Sequence, residues 1–251
     1  MRAALLTMLF FVLTALYWAV QPALIARAAV RRLGDPTADP LAAEQELRRA
    51  GPAAVRALER GLDPACPLRR ARCARILGLN GDRDGDRCLL QMLRERGGAE
   101  DDFAGAMAET FLLSVWAQRD APPPLERHKA LSNPGSTALL TGLLEKYPGW
   151  SAGHVLRAEA SLRSGDFAEA RFYALQALVV EPENFTAMVV LARAWLALEA
   201  PSHATICLER AVGVNPRLKR SLEAEIRDAL RGVDLERARR RRELRRQEPA
   251  A

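Results

Sequence analysis

The sequence has no Cys-x-x-Cys pair, no run of alternating β-branched residues, and only three histidines and three lysines. Each shortage excludes something. Cys66, Cys73, Cys88 and Cys207 lack the spacing of a zinc site or a thioredoxin-type redox pair. Without apolar and polar residues in strict alternation, nothing suggests a half-buried sheet. His128, His154 and His203 fall in no metal-ligand pattern such as His-Glu-x-x-His. No Gly-x-Ser-x-Gly elbow, no Walker loop and no Gly-x-Gly-x-x-Gly turn is expected. The sequence therefore argues against an enzyme, with no catalytic residue, no cofactor and no metal. A disulfide between Cys66 and Cys73 or Cys88 is an option only if the body lies outside the cytoplasm.

Aromatics make up only 6% of the chain, whereas Ala, Leu and Arg recur throughout. These three lose little on entering a helix, so the chain is expected to be all-α. The net charge of +6 also has a definite place. Arg237, Arg239, Arg240, Arg241, Arg242, Arg245 and Arg246 stand with one Glu in a ten-residue tail, which accounts for the whole excess. Nucleic acid is thus not expected as the partner of the folded body. A GC-rich genome is the bland account of the preference for Arg over Lys.

From Ala3 to Ala26 no side chain ionises near neutral pH. Eighteen helical residues reach roughly 27 Å, about a bilayer's hydrocarbon thickness. Residues 1–32 are therefore expected to form an N-terminal hydrophobic helix, a single-pass anchor, with the side of the membrane unresolved. A cleaved signal ending at Ala26-Arg27-Ala28, giving a secreted or periplasmic protein, and a buried soluble helix are the rivals.

Residues 40–118 read as short amphipathic helices: Leu41–Ala50, Pro52–Arg60, Pro67–Leu79, Asp86–Arg96 and Asp101–Gln118. Pro52 and Pro67 suit first-turn positions, and Gly51, Gly61, Gly81 and Gly97 suit helix ends. The segment from Arg69 to Gly78, then Gly81-Asp82 and Leu89-Leu90-Gln91-Met92-Leu93, resembles HEAT-like repeats, with a generic helical bundle as the alternative. Asn80-Gly81-Asp82-Arg83-Asp84-Gly85 begins like a calcium loop, but its twelfth position is Gln91 where Glu is needed. A helix–helix turn is the better reading. Residues 119–134, with Pro122-Pro123-Pro124, are the expected linker.

The strongest internal signal is a period. Pro148, Pro182 and Pro216 are spaced by 34 residues, as are the pairs Ala158/Ala192, Ala170/Ala204 and Ala177/Ala211. Leu144, Leu178 and Val212 form an apolar register at the same step. Gly165-Asp166-Phe167 supplies a helix end, a cap and a packing anchor. This pattern resembles the tetratricopeptide repeat family over residues 135–218, with units at Ser151–Asn184 and Phe185–Leu218. His154, Arg157 and Ser161 depart from it, standing where the family prefers larger apolar or aromatic residues.

The resemblance implies an α-solenoid of antiparallel helix pairs whose groove holds a peptide or a partner helix. It places Val155, Glu159, Leu162, Arg163, Thr186, Val189, Arg193 and Leu196 in that groove. Groove types that clamp a C-terminal carboxylate carry Lys and Asn there, and this one does not. Residues 219–251 are expected to give a capping helix, with Leu222, Ile226, Ala229, Leu230 and Val233 on one stripe, then the Arg tail. The functional expectation is a membrane-associated interaction scaffold. The alternative is binding of anionic lipid or RNA through the tail.

Overall fold

The computed structural model describes residues 14, 20–95, 99–132 and 136–247. Every regular element among them is a helix, and neighbouring helices pack on one another. The chain divides into two compact units, one ending at Leu112 and the other starting at Leu113.

The first unit begins with α1, the helical residues 20–33. It continues through α2 (Pro40–Ala50), α3 (Pro52–Arg60), α4 (Pro67–Leu79), α5 (Arg83–Arg94) and the start of α6 (Ala99–Gln118). Three of these helices carry Pro in the first turn, where a missing N–H costs nothing. Asp39 caps α2 by accepting from the Leu41 N–H at 2.9 Å. Gly51 ends α2 and precedes α3 at φ 56°, a left-handed conformation that disfavours a side chain. Asp82 accepts from the Asp84 N–H at 2.8 Å. This cap starts α5 at Arg83, three residues before the expected Asp86. The candidate calcium loop is therefore helix from Arg83 onward.

The expected single-pass anchor is corrected here. Among the described residues, no helix is long and apolar enough to cross a membrane. Residues 1–13 and 15–19, which carry most of the expected span, lie outside the described residues. What is described of α1 packs as part of a protein core. Ala26, Ala29, Val30 and Leu33 are buried against Leu47, Leu58 and their neighbours in one cluster. The spacing of those four positions, i, i+3, i+4 and i+7, is that of an amphipathic core helix.

The second unit holds the end of α6, then α7 (Pro124–Ser132), α8 (Thr137–Lys146), α9 (Ser151–Ser164) and α10 (Phe167–Val180). Next come α11 (Phe185–Ala197), α12 (Pro201–Val214), the short α13 (Leu218–Ser221) and α14 (Glu223–Gln247). The starts of α9 and α11, of α10 and α12, and the ends of α10 and α12 each differ by 34 residues. Ala158, Ala170, Ala177, Ala192, Ala204 and Ala211 are all fully buried. Methyl side chains at those crossings let paired helices approach closely. Pro124 opens α7, so the proline segment leads directly into a helix. Ala130 of that helix is buried with Leu140, Leu143, Leu144 and Trp150.

The three departures from the repeat pattern are filled by polar contacts: Arg157 and Ser161 share one network, and His154 is bonded separately. Arg157, with 6% exposure, donates to Thr141 Oγ1 at 3.2 Å, to Ser161 Oγ at 2.7 Å and to Glu169. Its guanidinium lies 4.9 Å from the Tyr173 ring centroid. His154 bonds the Pro148 carbonyl through Nε2 at 2.8 Å. A carbonyl only accepts, so Nε2 carries the proton and Nδ1 is a buried lone pair with no partner among the described residues.

Burial lowers the His154 pKa from its ordinary 6.5, against a smaller opposing effect of the Pro148 carbonyl. The unfolded chain therefore gains a proton first as pH falls, and stability drops from about pH 6.5 downward until the folded His154 also titrates. Denaturant midpoints of the wild type should fall across that window. A His154→Phe variant should lack this component. Equal pH slopes below 6.5 in the two proteins would contradict the assignment.

Candidate interaction surface

The groove residues expected from sequence lie on α9 and α11, but they do not share one degree of access. Val155 and Val189 are only 7% and 8% exposed, and Val155 packs with Ala158, Ala174, Ala187 and Val190. They belong to the core. Glu159, Leu162, Thr186 and Leu196 are half-buried, and Arg163 and Arg193 are exposed. The accessible part is thus a mixed strip with two apolar, one hydroxyl and three charged side chains.

Sequence spacing gave no sign of what Arg193 meets. It forms a two-point ion pair with Glu225 of α14, through Nη2 at 2.8 Å and Nε at 3.3 Å. The hydrogen bond to Glu225 raises the Arg193 pKa despite partial burial. Helix α14 therefore borders this strip and adds a carboxylate to it. The same helix bounds a cleft of about 260 Å3 with Leu196, Glu199, Pro201, Asp228, Gly232 and Leu235. Glu236, also in the wall of that cleft, accepts from Ser202 Oγ at 2.7 Å. Of the expected capping stripe, Leu222 and Ala229 are buried, Ile226 and Val233 are half-buried, and Leu230 is 47% exposed.

The backbone of the arginine tail is helical through Gln247 as part of α14. The side chains of Arg237, Arg239, Arg240, Arg241, Arg242, Arg245 and Arg246 lie outside the described residues.

One sequence match runs against the expected absence of a nucleophile elbow, because residues 149–153 read Gly-Trp-Ser-Ala-Gly. Its geometry is that of a helix start. Ser151 is 1% exposed, donates from Oγ to the Ala177 carbonyl at 3.3 Å, and accepts from Asn184 Nδ2 at 3.0 Å. It opens α9 after a turn instead of following a strand, and it is tied into the α10–α11 connection. Gly153 is required by packing, since a Cβ there would come within 2.1 Å of the buried Trp150 ring.

The other chemistry-bearing groups have structural partners. His203 stacks on Trp195 at 4.6 Å, and His128 Nε2 lies 3.4 Å from Ser132 Oγ one turn along α7. All four cysteines are free thiols, and burial pushes Cys73 up to about 12. Among the described residues, no group of three His, Cys, Asp or Glu side chains is placed to hold a metal. No family model, no curated protein and no solved structure matches the chain.

Proposed function

We propose that the chain is a protein–protein interaction scaffold, with tetratricopeptide-type units over residues 135–218 and HEAT-like helices before them. In this reading α9 and α11 present a short groove that takes a peptide or a helix of a partner protein. The observation that carries it is the 34-residue offset between successive helix pairs, with the same small-residue positions buried in each. Units of that kind cover their apolar faces only by stacking, and their outward helix faces are left for other chains. Leu162 and Leu196 supply the apolar contacts, while Arg163, Arg193, Glu159 and Glu225 select a partner with charges of both signs.

A photoreactive residue placed in turn at Leu162, Thr186 and Leu196 tests this in cells. An adduct of one discrete mass is expected from these positions and not from exposed Glu209 on α12. Leu162→Asp with Leu196→Asp should abolish the adduct while the helical spectrum is retained. Equal crosslinking from Glu209 would sink the groove. The alternative, phosphate binding by the arginine tail, is separated by deleting residues 237–251. Groove-driven binding survives the deletion, whereas tail-driven binding is lost together with its salt dependence.

A further inference from the structure

The first unit carries a basic cleft that the scaffold reading does not use. Residues 20–95 hold fourteen arginines against ten carboxylates. Many of these arginines find carboxylates: Arg70 meets Glu95 at 2.8 Å, Arg75 meets Glu44 at 2.6 Å and Arg87 meets Asp84 at 2.6 Å. Arg27, Arg56 and Arg60 do not. Among the described residues, none of the three forms an ion pair or hydrogen bond from its side chain. All three line one cleft of about 390 Å3 between α1 and α3, whose remaining described wall is Ala23, Pro52, Ala53 and Ala57. Arg56 and Arg60 are four residues apart on α3, so their side chains leave the same helix face. Glu59 is exposed on that helix but does not line the cleft.

Three like charges around a small concavity repel one another, and among the described residues no acidic side chain in its wall offsets them. The rest of the wall on α3 is Pro52, Ala53 and Ala57, which bring no side-chain charge. A single carboxylate would neutralise only one of the three guanidiniums. A phosphate-type oxyanion supplies two or more charges and at least three acceptor oxygens, which suit guanidinium forks. The volume falls within the range of small-molecule sites, which starts at about 300 Å3.

We propose that the α1–α3 cleft binds a multiply charged phosphate group, held by Arg27, Arg56 and Arg60. The phosphate belongs to a small soluble molecule or to a lipid headgroup, and two arms of one experiment distinguish them. In the first, full-length protein is titrated with inorganic pyrophosphate in a calorimeter. In the second, it is sedimented with phosphatidylcholine vesicles that contain or lack phosphatidic acid. Each arm compares Arg56→Gln/Arg60→Gln with Arg48→Gln/Arg49→Gln, which removes the same charge from exposed positions outside the cleft.

The cleft variant should lose binding by roughly tenfold or more, and the control should stay near wild type. Loss seen with pyrophosphate assigns a soluble ligand, and loss seen only with acidic vesicles assigns a headgroup. Equal losses in the two variants would reduce the effect to net charge and overturn the site. Absence of wild-type binding in both arms at millimolar ligand would overturn it as well. All four substituted positions are exposed, so the variants should fold, and thermal unfolding checks this.

Discussion

A Gly85→Ala substitution is expected to destabilise the first unit by about 3 kcal/mol, the upper part of the usual range for overpacking. Gly85 sits in the first turn of α5, where that helix crosses α4. A Cβ there would lie 2.4 Å from the Ala74 carbonyl oxygen and 2.6 Å from the Gly78 nitrogen. Both atoms are backbone inside α4, so no side chain can swing away. The helices would have to separate, and buried Leu77 and Leu89 would lose contacts. Alanine is the better helix former by about 1 kcal/mol, which is too little to offset that clash. Gly142 in α8 is the matched control, because nothing lies within 4 Å of its ideal Cβ. Gly142→Ala should stabilise by about 0.5–1 kcal/mol. Urea unfolding gives the totals, and hydrogen exchange at α4 and α5 amides locates the damage. A Gly85→Ala protein as stable as wild type would show that the α4–α5 crossing is looser than these distances imply.

Local rules made much of this architecture legible. Pro52–Arg60 and Pro67–Leu79 are helices with the bounds expected from first-turn prolines and terminal glycines. The six alanines of the 34-residue register are all buried, because successive helix pairs, offset by the same sequence step, pack closely at the same positions. What could not be read depended on the partner face. Gly85 resembles a turn residue until α4 is seen pressing against it. Val155 and Val189 look like groove residues, but a helix flanked on two sides buries a wider arc than a single amphipathic stripe. Arg193 and Glu225 are thirty-two residues apart, so no local spacing signals their pairing. His154, Arg157 and Ser161 look like packing defects one at a time. Only the structure shows that Thr141 and Glu169 join Arg157 and Ser161 in one network, and that the Pro148 carbonyl holds His154. At the N-terminus, the apolar content of residues 3–26 suggested a span. The spacing of Ala26, Ala29, Val30 and Leu33 already carried the signature of a core-facing helix.

The second large effect is expected at a buried ion pair of the second unit. Arg119, just after α6, donates to Glu181, just after α10, at 2.7 Å, with side-chain exposures of 10% and 6%. Around it, Trp116 packs against Phe185 at 5.4 Å between centroids, and the Trp150 indole donates to the Ala117 carbonyl at 3.2 Å. Glu181→Ala takes the carboxylate away from a guanidinium that is only 10% exposed, at an expected cost of about 3–5 kcal/mol. The exposed pair Arg227–Glu223, at 3.1 Å, has the same chemistry but keeps its hydration, so Glu223→Ala should cost within about 0.5 kcal/mol. Burial, not distance, separates the two. An Arg119→Leu/Glu181→Leu double variant removes both charges and should recover most of the loss, since apolar replacements of a buried pair are often neutral. Denaturation followed by Trp fluorescence reads all three variants, because Trp116 and Trp150 lie in this unit. A Glu181→Ala cost below about 1 kcal/mol, the level of a surface pair, would mean that water reaches Arg119 and that the end of α6 is not clamped.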